Sequence, residues 1–215
     1  MDLTLFQFIL ALFFLTVFFL HLVKKNSEAT VLYGFQSLLV VILLFVFYLE
    51  TNNIYSLFVV ILMLLVKVIL APTFIFRLIK RDGLKFSASS FVSTPLALII
   101  VTGLTILAHS SVFSSLGSIV PANQELLSLT LSALFVSLFL IVNRKGAISQ
   151  IIGVLSLENS IVTFALFAGL EQSAGLQAGI LFDIFIWIFI ATIFISNIYK
   201  HFGTLDVTEM KNLKD

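Results

Sequence analysis

The sequence predicts an all-α, polytopic membrane helical bundle of about seven transmembrane helices, with its N-terminus outside and its C-terminus cytoplasmic. Three observations lead there. Hydrophobic residues make up 60% of the 215 positions and charged residues only 11%, with a mean hydropathy of +1.17. That composition leaves too little polar surface to cover a soluble globule. Apolar runs of about 18 residues or more, each long enough to cross a hydrocarbon core, recur along the chain. Finally, Lys and Arg collect in alternate gaps between those runs, as the positive-inside rule requires.

The runs fall at roughly 3–22, 29–49, 54–76, 92–109, 125–142, 147–169 and 178–199. Lys24 and Lys25 follow the first, and Arg77, Lys80, Arg81 and Lys85 follow the third. Arg144 and Lys145 follow the fifth, and Lys200, Lys211 and Lys214 follow the seventh. The intervening gaps carry Asp2, Glu50, Glu125 and Glu171 and no cation. The chain opens Met1-Asp2-Leu3, without the basic start and small-residue cleavage site of a signal peptide, so the first run is expected to be retained.

Four spans and an outer interfacial segment occupy 1–123, where the stretch from about 110 to 123 is too polar for lipid and too apolar for an open loop. Three spans fill 124–200, and 201–215 forms a cytoplasmic tail. The longest connection, Arg81 to Ser90, is basic and then Ser-rich. We find no internal repeat and no soluble domain.

Cysteine is absent, which excludes disulfides, thiolate nucleophiles and iron–sulfur ligation by this chain. No HExxH, Gly-x-Ser-x-Gly, phosphate-loop or paired Asp-rich motif occurs. Three scattered histidines do not make a metal site. Catalytic, cofactor-binding and metal-binding residues are therefore all expected to be absent.

Three ionisable residues remain, Lys67, Glu158 and Asp183, each inside an apolar run. Each costs roughly 2.5–3.5 kcal/mol near the bilayer centre on insertion scales, so such groups face a partner or a wet cavity. Glu158 lies about 18 Å from the cytoplasmic end of its helix at Gly146, and Asp183 about 9 Å from the outer end of the next. The two carboxyl groups are expected at similar depths on neighbouring helices, where burial and mutual repulsion let carboxyls exchange protons near neutrality. The competing reading is a neutral, hydrogen-bonded structural acid meeting Asn159, Ser160 or a backbone carbonyl.

Lys67 stands about 20 Å into the third span, five residues before Pro72, whose missing N–H opens the backbone ladder. It can titrate beside that kink, or pair with an acid and fix helix packing. His109 can extend a proton path outward or simply sit at the interface. His21 and His201 are expected to be solvated at cytoplasmic boundaries. The 24 Phe residues are expected to face lipid and neighbouring helices, and Gly175-x-x-x-Gly179 is a weak close-packing signal.

Gln150-Ile151-Ile152-Gly153-Val154-Leu155-Ser156-Leu157-Glu158-Asn159-Ser160, then Gly179-Ile180-Leu181-Phe182-Asp183, then Gly203-Thr204-Leu205-Asp206, resemble component E of the membrane-bound hydrogenase-4 family. Lys67-x-x-x-x-Pro72 fits the same family. The last three spans are also similar to two three-helix proteins with buried acids, subunit K of respiratory complex I and the C component of Mrp-type cation antiporters. Glu158 resembles the middle-helix carboxylate of those proteins and Asp183 that of the final helix.

The resemblance implies a non-redox membrane-arm subunit of a complex-I-like or group 4 hydrogenase-type assembly in a prokaryotic cytoplasmic membrane. In that reading Glu158, Asp183, Lys67 and His109 serve proton or sodium translocation. Antiporter-like membrane subunits and peripheral cytoplasmic redox subunits are its partners. Iron–sulfur clusters, with or without a nickel–iron site, belong to those partners, and nucleic acid has no part. A structural scaffold of the same complex and a stand-alone secondary transporter are the alternatives.

Overall fold

A computed structural model describes residues 3–51, 54–81, 89–113, 116 and 124–168, together with the single positions 182, 185, 189, 192, 193, 197 and 200. The helices are α1 (Leu3–Leu22), α2 (Asn26–Thr51), α3 (Ile54–Met63), a π-helical stretch (Leu64–Leu70), α4 (Ala71–Arg81), α5 (Thr94–Ala108), α6 (Gln124–Asn143) and α7 (Ala147–Phe167). A short 3-10 turn, Ser111–Phe113, follows α5. There is no strand among the described residues, only an isolated bridge between Ser90 and Arg144.

Five segments are long and apolar enough to cross a membrane: Thr4–Leu22, Asn26–Leu49, Ser56–Lys80, Gln124–Asn143 and Ala147–Phe167. They coincide with the first, second, third, fifth and sixth predicted spans. The fourth is shorter than expected, because Ser93 and the proline at the start of α5 fix its beginning and His109 caps its end after 15 residues. At about 1.5 Å per residue it covers about 22 Å. The seventh predicted span lies almost wholly outside the described residues. Phe182, Phe185 and Phe189 there are helical and exposed.

Large apolar side chains cover the outside of the bundle, with Phe8, Ile54, Ile99, Ile106 and Val142 all well exposed. Phenylalanine serves both surfaces as the composition suggested. Phe6 and Phe13 are buried in the core, while Phe8 and Phe19 face outward.

α6 and α7 form the most extensive helix pair; α1 packs on α2 and α6, α5 on α6, and α2 on α7, the π-helical stretch and α4. Two close approaches set this packing. A Cβ on Gly153 of α7 would meet Ile141 of α6 at 3.0 Å from its side chain and 3.3 Å from its backbone. Gly34 of α2 faces Pro72, whose ring would stand 3.4 Å from an added Cβ. Small residues at such crossings let helix backbones approach where no hydrophobic driving force exists.

The interior divides into two apolar clusters. One holds Phe13, Leu43, Met63, Val136 and Val162, and the other holds Leu20, Ile75, Leu140, Ile152 and Leu155. Five spans pass from one cluster to the other, and all but α1 do so across buried polar residues. These are Gln36 and Ser37 in α2, Lys67 in the third span, Ser137 in α6, and Ser156, Asn159 and Ser160 in α7. A polar layer therefore crosses the bundle between the two apolar clusters.

The end of the bundle rich in cations is tied together by Arg144. Expected as a loop cation, it is only 3% exposed, and its guanidinium donates to the Leu20 carbonyl and, at 2.9 Å, to that of Val23. These are carbonyls that the end of α1 leaves without helical partners. Burial lowers the Arg144 guanidinium to about 10, so it remains cationic at neutral pH.

The loop beyond it is pinned by Val92 N–H to Asn143 Oδ1 at 2.9 Å and Lys145 N–H to Ser89 O at 3.0 Å. Ser149 Oγ donates to Asn26 Oδ1 at 2.7 Å, joining the start of α7 to that of α2. His21, expected to be solvated, is instead 5% exposed. Its ring stacks on Phe139 at 5.3 Å, and its Nε2 lies 3.1 Å from the Val136 carbonyl. The apolar flank of an imidazole makes that burial favourable once one nitrogen is bonded.

Candidate charge-pair site

α7 carries Ser149, Gly153, Ser156, Asn159, Ser160 and Thr163 at spacings of three and four, which place them on one helical face. That face is turned inward, and its polar members are buried. Ser160 Oγ and Thr163 Oγ1 also bond back to carbonyls four residues earlier, at 3.0 and 2.7 Å. Back-bonding of this kind lets hydroxyls sit in an apolar helix at little cost.

Lys67 enters the same layer from the opposite side. It is the middle residue of the π-helical stretch, where the Ala71 N–H reaches back five residues to the Val66 carbonyl. Proline cannot donate to the ladder, so Pro72 removes the bond that would restore α-helical register. The kink expected from Pro72 takes this form. Thr73 Oγ1 meets the Ile69 carbonyl at 2.5 Å, occupying another acceptor of the interrupted turn.

The Lys67 side chain is 0% exposed and places Nζ 2.8 Å from Glu158 Oε1, on a side chain 17% exposed. The same Nζ donates to Asn159 Oδ1 at 3.1 Å. The Asn159 amide is held by its own Nδ2, which donates to Ser37 Oγ at 2.9 Å. Lys67 thus finds adjacent residues of α7 as acceptors, one charged and one neutral. Taking an ammonium and a carboxylate out of water costs several kcal/mol per ion, and close pairing with further hydrogen bonds offsets it.

A second set of bonds completes the layer. Gln36 Nε2 donates to Ser156 Oγ at 3.0 Å. Ser156 Oγ lies 3.3 Å from Ser137 Oγ, which lies 2.9 Å from Ser160 Oγ. One turn back along α2, buried Tyr33 neighbours Ser37 and feels the charge of Glu158.

Of the four residues singled out in the sequence for ion movement, the structure brings two together, Lys67 and Glu158. Asp183 lies outside the described residues. His109 is exposed at the end of α5, with Nδ1 2.9 Å from the Thr105 carbonyl and 3.3 Å from Ser132 Oγ. Among the described residues those bonds do not lead to the Lys67–Glu158 pair. Gln36, Ser37, Ser137 and Ser156 were not singled out from the sequence, and Asn159 appeared there only as a bonding partner for Glu158. The usable signal was the inward serine register of α7. No group of acidic or histidine side chains suited to a metal ion occurs among the described residues.

No protein-family model, curated protein or solved structure matches the chain.

Proposed function

We propose that this chain is a non-redox membrane subunit of a complex-I-like or group 4 hydrogenase-type oxidoreductase, and that its Lys67–Glu158 pair handles the translocated proton or sodium ion. The observation that carries the reading is the 2.8 Å ion pair within a polar layer bounded on both sides by apolar clusters. A buried salt bridge is weak evidence for stability, since apolar residues of similar volume often serve as well or better. A pair kept at that cost inside a membrane is better explained by a charge that changes during work. Its place on a π-helical turn agrees, because such turns recur at functional sites.

In this reading the cation-rich end of the bundle is cytoplasmic and the N-terminus is outside. Redox energy enters from peripheral partner subunits that carry iron–sulfur clusters. Antiporter-like membrane subunits flank the chain, and Asp183 is the next carboxylate on the path. The ion reaches Glu158, shifts the balance of the pair with Lys67, and leaves when the redox step restores it. A scaffold role for the same layer is favoured by one observation: its hydroxyl and amide groups bond directly between α2, α6 and α7.

Gentle purification at native expression, with mass spectrometry of what co-migrates, tests membership. Antiporter-like and iron–sulfur proteins are expected. A solitary protein, under conditions that preserve other membrane complexes, would contradict the proposal and favour an independent transporter.

A further inference from the structure

Lys67 has two acceptors on α7 that differ in one respect. Glu158 changes its charge when it takes a proton, and Asn159 does not. The Asn159 oxygen faces the ammonium because its nitrogen is committed to Ser37 at 2.9 Å. A second neutral acceptor lies in the same layer. Gln36 is fully buried beside Ser37, its nitrogen is committed to Ser156 at 3.0 Å, and its Oε1 has no hydrogen-bond partner among the described residues. A buried amide oxygen without a donor is costly to keep, and the group in the same layer richest in donors is the Lys67 ammonium, with three.

We propose that Asn159 and Gln36 form a neutral second berth for the Lys67 ammonium, so that Glu158 takes up a proton while Lys67 keeps its charge. This rests on the functional reading above and specifies its chemistry. A proton from water adds to the Glu158 carboxylate, the ion pair becomes a hydrogen bond at most, and the ammonium turns toward the two amide oxygens. The layer's net charge then alternates between zero and plus one. The competing scheme passes the Lys67 proton directly to Glu158 and keeps the layer neutral throughout. Asn159 and Gln36 are positioning residues here, acting through Lys67.

The flexible four-carbon stem of lysine and its compact ammonium suit a short excursion between berths. Losing its anion would otherwise leave a buried cation without compensation. Among the described residues, Tyr33 on α2 is the other titratable side chain near the pair. α6 contributes only Ser137 to the layer. Arg77 and Lys80 stand about 15 and 20 Å along the third span.

The test is an infrared pH titration of the intact complex, with the Glu158 carboxylic-acid band assigned by its loss in Glu158→Gln. In Asn159→Leu the half-titration pH of that band is expected to fall by about one unit, a tenfold loss of proton affinity. Gln36→Leu is expected to move it in the same direction, and Asn159→Gln to restore it. Ser37→Ala, which frees the Asn159 amide to turn, gives a milder variant with a smaller shift of the same sign. A band that titrates normally in the wild type but stays fixed or moves upward in these variants overturns the berth alone. A Glu158 band that never titrates overturns the functional reading with it.

Discussion

Lys67 Nζ stands 2.8 Å from Glu158 Oε1 although 91 residues separate them in the chain. They meet because each lies at a similar distance from the cation-rich end of the bundle. Lys67 is about 15 Å from Arg77 along the third span, and Glu158 about 18 Å from Gly146 along α7. The remaining difference is small beside the reach of the lysine stem.

Breaking this pair from one side should be costly. Glu158→Leu leaves the ammonium at 0% exposure with neutral acceptors such as Asn159 in place of its anion, and a loss of about 3 kcal/mol is expected, the low end for a broken buried pair. Lys67→Met combined with Glu158→Leu should recover most of it. Thermal unfolding in detergent, run as a double-mutant cycle, checks the coupling. Additive losses would show that the two residues do not interact.

Gly153 is expected to tolerate no side chain. An added methyl meets both the side chain and the backbone of Ile141, at 3.0 and 3.3 Å, so α6 and α7 must separate. Gly153→Ala should cost about 1–3 kcal/mol and Gly153→Leu more, read by the same unfolding assay. Gly103, which has nothing within 4 Å of an added Cβ, is the control, and Gly103→Ala should be close to neutral.

Arg144 should behave as a structural clasp. Arg144→Ala abandons the Leu20 and Val23 carbonyls at the end of α1, at about 1.5–3 kcal/mol for a bond to a charged group. Arg144→Lys should recover part of that, since an ammonium can reach one carbonyl but lacks the guanidinium fork. Protease accessibility of the Val23–Asn26 connection is a direct readout, and it should rise in the alanine variant.

Five long spans and the Lys67–Glu158 half of the site were legible in the sequence, while the neutral half was not. Lys67 and Glu158 stand out because a charge inside an apolar run has no inexpensive explanation. Gln36, Ser137 and Ser156 do not stand out, since amides and hydroxyls are common in membrane helices and can bond their own backbone. Their role depends on facing one another across three helices. Pro72 signalled an interrupted ladder, but whether a kink or a π turn results depends on how α2 packs against it at Gly34.

The end of α5 at Ala108 agrees with the expected span to one residue, because His109, Ser110 and Ser111 end the apolar run there. His21 was read as solvated, and Arg144 as a loop cation, from their positions at span ends. Both instead reach neighbouring helices, His21 at Val136 and Arg144 at Leu20, a distinction only tertiary contacts provide.

Acidification of inverted membrane vesicles carrying the proposed complex, wild type against Glu158→Gln, bears most directly on the role of the pair. Glutamine keeps the shape and the acceptor oxygen but cannot carry a proton. With electron transfer driven by a reduced viologen and assembly verified on a native gel, the variant is expected to keep its full set of partner proteins and lose coupled ion movement. Wild-type pumping by a fully assembled Glu158→Gln complex would contradict the translocation role and leave the pair as a fastening between the third span and α7.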